Sequence, residues 1–306
     1  MKFTIVTPTF NSQKFLEETI NSIINQKGNF SIEYIIVDNC STDKTKDIVF
    51  EYIYSLSSGK KIIQCKDVQI HFFSDQDNGM YHAIKKGFSK ATGDIFAWIN
   101  SDDIYLPGAF SIIKKTFSKY PQISWLKGRT SYINEDTAIY LAGPCFLYNQ
   151  DWIRSGIYGP ILYFIQQDSV FWKSKLWNLS NGVNPSYSFA GDFILWRRFA
   201  EFAPLYSLNT FVSCFRKVPG QKSEQIKAYW QEVKDYNLIK IKHKSIKRFF
   251  NLESSIPRCL RPLCYRLILG NHTYHLVTLN ESIEPCLMEG GFYELKKIYE
   301  LSNLHI

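Results

Sequence analysis

The chain has 306 residues, of which 45% are hydrophobic and 21% charged, with a net charge of +8; these proportions exclude wholesale disorder. Its seven cysteines are odd in number and form no CxxC pair, which excludes a disulfide framework and a cysteine zinc site. No apolar run is long enough to span a bilayer, and thirteen Lys/Arg against four Asp/Glu between residues 216 and 266 place the basic character in the C-terminal part.

Lys2–Val6 is a short β-rich run ended by Thr7-Pro8. It is too short for a signal-peptide core and predicts a strand, so the chain is expected in the cytoplasm. Phe15, Leu16, Ile20, Ile23 and Ile24 share one helical face. Tyr34–Val37 is a second strand, followed by the turn and capping residues 38–43 and a helix over about 45–54. Ile70–Phe73 gives a third strand, and Tyr81, Ile84, Phe88 and Ala91 a further helical stripe. Ile95–Ile99 is apolar throughout, as a strand covered on both faces must be. Phe110, Ile113, Phe117 and Tyr120 mark the next helix, and 124–149 is strand-rich. Helices are expected again from Asp192, through Leu195, Trp196 and Phe199, and over Ile226, Tyr229, Trp230 and Val233.

Strand alternating with helix implies a doubly wound α/β layer with a mostly parallel sheet. Ligands of such sheets bind beyond the C-terminal strand ends. Thr9, Asn11, Asp38, Asp102 and Asp103 each follow a predicted strand and are expected to converge along that edge.

Adjacent carboxylates at a strand end, as in Asn100-Ser-Asp-Asp103, hold a divalent cation or cap the next helix, and the residues alone leave both open. Asp192 stands where an N-cap would, just before an apolar-periodic segment. Trp172, Trp177 and Trp196 suit either a sugar-stacking cleft or a core. The basic run 240–250, with bulky apolar residues interleaved, suits anionic lipid head groups or a solvated appendage. No nucleic-acid-binding motif accompanies it, so nucleic acid is not expected as a partner.

Seven segments occur in a telling order: Thr7-Pro-Thr-Phe-Asn11, Val37-Asp-Asn-Cys-Ser-Thr-Asp-Lys-Thr45, Ser74-Asp-Gln-Asp-Asn-Gly-Met-Tyr81, Asn100-Ser-Asp-Asp103, Gln167-Asp-Ser-Val-Phe-Trp172, Gly191-Asp-Phe-Ile-Leu-Trp-Arg-Arg-Phe199, and Phe215-Arg216 with Gly220-Gln221. Together they resemble family 2 glycosyltransferases of the GT-A fold over about the first 220 residues. The resemblance implies a catalytic domain at 1–220, with a donor half to about 105 and an acceptor half over 106–220; the residues beyond it read as a basic, mainly helical extension at 221–306. It implies an inverting, metal-dependent hexosyl or N-acetylhexosaminyl transfer from a UDP- or GDP-sugar. The acceptor would be a glycan or a polyprenyl-diphosphate-linked oligosaccharide of bacterial surface polysaccharide synthesis, reached from the inner face of the plasma membrane. Pro8, Thr9 and Phe10 would lie at the nucleotide base, with Asp38 accepting a hydrogen bond from it. Asp77 and Asp102 would face the donor, Asp103 would ligate Mn²⁺ or Mg²⁺, and Asp192 would be the general base. His82 and Lys85 depart from the family pattern, which has an acid and an amide there. A non-catalytic assembly protein and a sugar-1-phosphate nucleotidylyltransferase are the alternatives; the latter needs a Gly-rich phosphate loop that Thr7–Asn11 does not supply.

Overall fold

A computed structural model describes residues 1–159, 163–235 and 272–292, with isolated positions at 256, 257, 260, 263 and 295. The basic run 240–250 lies outside the described residues.

The N-terminal half follows the alternation of the sequence. Strand β1 (Lys2–Thr9) leads through helix α1 (Leu16–Ile24) to β2 (Ser31–Asp38), and α2 (Thr45–Ser57) leads to β3 (Asp67–Ser74). Helix α3 (Met80–Phe88) then precedes β4 (Ile95–Trp98). All four residues of β4 are buried, as its unbroken apolar run requires. These four strands pair in parallel, in the order β3-β2-β1-β4. Their register sets Thr9 beside Asp38 and Asp38 beside Ser74, so three polar side chains line up at the strand ends. Helix α3 lies close on β1: a Cβ added at Gly87 would stand 2.6 Å from Val6 Cγ1. That contact holds the C-terminal turn of α3 against the sheet.

The second half is mixed. After β5 (Ile104–Tyr105) and α4 (Ala109–Lys119) come β6 (Trp125–Ile133), β7 (Ile139–Ala142), α5 (Gln150–Arg154), β8 (Val170–Lys173), α6 (Ser174–Leu179), α7 (Gly191–Phe202) and β9 (Leu205–Arg216). Strand β8 runs antiparallel between β4 and β6, while β9 runs parallel to β6. The mostly parallel sheet expected from the sequence is therefore wholly parallel only over β1 to β4; beyond them parallel pairs such as β6–β9 alternate with antiparallel ones. The physical reason is the short β8, which enters against the direction of its neighbours.

Beyond residue 220 the described residues hold helix α8 (Ile226–Asp235) and a hairpin, β10 (Tyr274–Leu279) and β11 (Pro285–Gly290), rather than helix alone. The hairpin joins the sheet edge through β10, which runs parallel to β9. Among the described residues no helix is long and apolar enough to cross a membrane.

The tryptophans belong to the core. Trp98 stacks on Trp196 at 5.5 Å and Trp125 on Trp196 at 5.9 Å, with Trp172 packed edge-on against Trp98. Trp172, Trp177 and Trp196 are all buried, so none offers a free face to a sugar.

Candidate active site

A cleft of about 570 Å³ opens at the C-terminal ends of β1 and β4, large enough for a cofactor-sized ligand. Pro8, Thr9 and Phe10 form one wall, Asp77 and Met80 another, and Asn100, Ser101 and Asp102 the floor of the sheet side. Phe215 and residues 220–223 close it from the end of β9. The loop residue Asn11 adopts a left-handed φ of 49°, turning the chain sharply after β1. Phe10 is left 61% exposed there, an aromatic face without protein cover.

Asp38 is buried beside the cleft, not open to it. One carboxylate oxygen accepts hydrogen bonds from the Thr9 hydroxyl at 3.0 Å and from the Ser41 hydroxyl. The other accepts from Ser41 N at 2.9 Å and from the Ser74 hydroxyl at 2.8 Å. Its present role is to draw together the ends of β1, β2 and β3. Asp77 is half-buried and uses one oxygen to accept from Gly79 N at 2.7 Å, while its own N–H donates to Asn39 Oδ1 at 2.8 Å.

The two neighbouring acids after β4 part company. Asp102 reaches the cleft and accepts a 2.7 Å hydrogen bond from Gln221 Nε2. Burial raises its pKa above the ordinary carboxylate value, and the Gln221 bond opposes that. Asp103 is wholly buried and absent from the cleft lining. Its Oδ1 accepts from the Arg216 backbone N–H at 2.8 Å and its Oδ2 from Asn100 Nδ2 at 3.3 Å. Burial, then the nearby charges of Asp102 and Asp168, push its pKa well up. Arg216 is 0% exposed and braces the same turn: Nε donates to the Asp102 carbonyl at 2.8 Å and an Nη to Glu18 at 2.7 Å.

Asp192 sits in the first turn of α7, joined to the cleft wall through neighbours. The Tyr81 hydroxyl stands 3.2 Å from its Oδ1, and Lys222, which lines the cleft, lies 5.9 Å over the Tyr81 ring. Desolvation raises the Asp192 pKa to about 6, against hydrogen bonds that favour the charged form. A carboxyl with that value is half-ionised in mildly acidic solution and accepts a proton readily.

Of the residues singled out from the sequence, the cleft thus brings together Pro8, Thr9, Phe10, Asp77 and Asp102, with Asp38 and Asp103 buried beside it, while Asp192 lines a separate small cavity with Tyr158, Phe164 and Tyr229. Asp168 is buried and accepts from Thr130 at 3.0 Å and Ser213 at 2.5 Å, a structural role. Lys85 lines a separate polar groove with Arg198 and Glu201. Sequence reasoning missed Asn100, Ser101 and Lys222. For Asn100 the signal was its place two residues before Asp102; for Lys222 there was none.

The chain's own donor set suits a divalent cation of the magnesium type. Among the described residues no three His, Cys, Asp or Glu side chains gather as a ligand cluster, but such ions keep water and substrate phosphate in their shell and need few protein ligands. Asp102 commits one oxygen to Gln221, and the neighbouring Asn100 Oδ1 is buried without a hydrogen-bond partner. A hard oxygen acceptor of this kind beside a cleft carboxylate fits a cation-bound diphosphate.

Comparison with known proteins gives a consistent picture. The family described as glycosyl transferase family 2 matches residues 4–176. A putative teichuronic acid biosynthesis glycosyltransferase, TuaG of Bacillus subtilis, is 34% identical over 100 residues, 32% of this chain and 35% of that protein. The first three curated relatives are matched over only 35%, 59% and 33% of their own lengths. Among solved structures, residues 1–349 of Staphylococcus aureus TarS in complex with UDP-GlcNAc superpose with a TM-score of 0.57 at 14% identity, covering 86% of this chain and 78% of that one. The mannosyltransferase PcManGT of Pyrobaculum calidifontis, in complex with GDP-Man and Mn²⁺, superposes with a TM-score of 0.52 at 15% identity, covering 88% and 69%. At these identities the superpositions show a shared fold.

Proposed function

The chain belongs to glycosyl transferase family 2, and from that premise we propose that it transfers a sugar from a nucleoside diphosphate donor to a hydroxyl of a glycan or lipid-linked acceptor. The observation that carries the reading is the juxtaposition of Asp102 and the unpartnered Asn100 Oδ1 in a cleft whose opposite wall offers the exposed ring of Phe10. A diphosphate held at Asp102 lets the nucleoside reach Phe10, whose face suits stacking on a planar base. Asp38, with its hydroxyl partners at Thr9, Ser41 and Ser74, keeps that wall in place, and Asp77 faces the donor from the turn before α3. The UDP- and GDP-sugars named in the related structures define the donor class to test.

Mn²⁺ or Mg²⁺ would be held at Asp102, the acid that lines the cleft, with Asn100 Oδ1 as a second oxygen, and when bound would offset charge on the leaving diphosphate. The remaining chemistry belongs to the chain. The acceptor oxygen bonds to the anomeric carbon as the bond from that carbon to the diphosphate oxygen breaks, its electron pair leaving with the nucleoside diphosphate. Asp192 takes the acceptor's proton. One displacement from the opposite face inverts the anomeric configuration. TuaG, by its printed name, serves teichuronic acid biosynthesis, and a cell-surface polysaccharide is the acceptor class that this relation supports.

The test is a screen of UDP- and GDP-sugars for turnover with Mn²⁺, comparing wild type with Asp102→Asn and Asp192→Asn. Loss of at least about a hundredfold in both is expected, a magnitude typical of removing one catalytic group. Because Asp192 acts as base, wild-type kcat/KM rises with pH through about 6. Full activity in both variants would overturn the reading.

A further inference from the structure

Helix α8 follows the last residue of the family-like region, yet it is packed against the part of the fold that carries the base. Its Trp230 stacks on Phe164 at 5.3 Å, Tyr229 meets the same ring edge-on at 5.7 Å, and Val233 is fully buried. Two polar side chains on this helix reach α7. The Tyr229 hydroxyl donates to Asp192 Oδ1 at 3.3 Å. Glu232 accepts three backbone N–H bonds from the residues just before Asp192: Oε1 from Ser188 at 2.6 Å, and Oε2 from Phe189 at 2.8 Å and Ala190 at 2.6 Å.

Helix α7 has no side-chain cap of its own, since Ala190 stands at the N-cap. The first N–H groups of a helix need acceptors, and an anion there also meets the positive end of the helix dipole. Glu232 supplies the anion from 42 or more residues away in the chain, accepting from the N-cap amide of Ala190 and from the two amides that lead into it. Three charge-assisted bonds to consecutive amides hold a backbone far more tightly than the single bond of an ordinary cap.

We propose that Tyr229 and Glu232 are positioning residues for the general base, Tyr229 holding the Asp192 carboxylate and Glu232 the backbone that carries it, so that α8 is part of the active site. The proposal rests on the assignment of Asp192 as base. The other groups facing Asp192 are Tyr81 from α3, Lys222 from the turn before α8, Tyr158 from the segment after α5, and Arg197 one to two turns along α7. Tyr81 donates to the same oxygen but also lies 2.9 Å from the Phe189 carbonyl, so its one proton is shared. Tyr229 is therefore the donor that α8 adds.

The experiment uses the full chain and follows the Asp192 carboxyl by ¹³C NMR titration, with Asp192→Asn identifying the resonance. Tyr229→Phe keeps the ring and removes one donor to the charged form, so the titration midpoint moves up by about half a pH unit or more. Glu232→Gln speeds hydrogen exchange of the 188–190 amides by roughly tenfold or more, the loss of about one charge-assisted bond, and lowers kcat with little change in donor KM. Unmoved midpoint and exchange in these variants overturn the proposal, even where Asp192→Asn abolishes transfer. The converse, a shifted midpoint with full transfer by Asp192→Asn, overturns the base assignment and with it the catalytic meaning of α8.

Discussion

The backbone N–H of Arg216 donates a 2.8 Å hydrogen bond to Oδ1 of Asp103, joining the end of β9 to the turn after β4 across 113 positions of the chain. One residue earlier, Asp102 lines the cleft. Adjacent carboxylates of identical chemistry thereby receive different places: one closes the fold, the other faces the cleft.

That division makes a sharp prediction. Asp103→Ala leaves the buried Arg216 N–H without an acceptor, costing about 1–3 kcal/mol. Asp103→Asn keeps an oxygen for that N–H but sets its amide against Asn100 Nδ2, which now donates to Oδ2, so it should cost less stability than the alanine and keep most of the turnover, since Asp102 is untouched. Asp102→Asn should do the opposite, preserving thermal stability while losing activity. Melting by circular dichroism beside donor turnover separates the two; full loss of activity in Asp103→Asn with an intact fold would return the cation to Asp103.

Arg216 gives a second test. Its guanidinium is 0% exposed, sits 4.4 Å over the Phe15 ring, and donates to the Asn134 carbonyl, Thr137 Oγ1, Glu18 and the Asp102 carbonyl. Lysine carries a point charge and cannot reproduce this planar fork. Arg216→Lys is expected to cost about 3–5 kcal/mol, the penalty for leaving buried partners unmatched. Chemical denaturation would measure it, and a cost under about 1 kcal/mol would show that the network is dispensable.

The N-terminal part of the sheet was legible because its signals are local. Each of β1 to β4 carries a short apolar run, unbroken in β4, and the polar residue that follows it falls at the sheet edge by topology alone. Strand β9 was not legible, since Ser207 and Ser213 interrupt it at buried positions, where they donate to the Phe146 carbonyl and to Asp168. Its polarity is satisfied by partners 61 and 45 residues away, which no local window contains. The same holds for the distinction between Asp102 and Asp103, which depends on where β9 ends. The part played by Glu232 was hidden too, because its partners are main-chain amides and carry no residue identity.

Glu33 predicts how the domain responds to acid. Burial alone would raise its pKa, but hydrogen bonds from Lys2, Thr4 and Thr92 outweigh that and draw it down to about 2. The bonds measure 2.8 Å to Lys2 Nζ, 2.5 Å to Thr4 Oγ1, and 2.5 and 2.8 Å to Thr92 Oγ1 and N. A folded value below the ordinary one stabilises the fold fully above about pH 4.5, and the gain, about 3 kcal/mol, is lost as pH falls toward 2. Glu33→Gln should therefore be less stable at neutral pH and show a shallower decline between pH 4.5 and 2. Parallel acid slopes in the two proteins would remove Glu33 from the account.

Gly191 offers a way to disturb the base without touching a titratable group. Its backbone is ordinary for a helix start, but a Cβ there would lie 2.8 Å from three ring carbons of Tyr81. Tyr81 is itself buried and cannot slide into solvent, so the ring or the first turn of α7 must give way. Overpacking of this kind costs about 1–3 kcal/mol. Either adjustment alters the contact between the Tyr81 hydroxyl and Asp192 Oδ1, now 3.2 Å. Gly191→Ala should thus lower kcat at least about tenfold, a loss of the size that misplacing a catalytic group produces, while donor KM, proposed above to depend on Phe10 and Asp102, changes little. If instead KM rises and kcat holds, Tyr81 serves the donor and not the base.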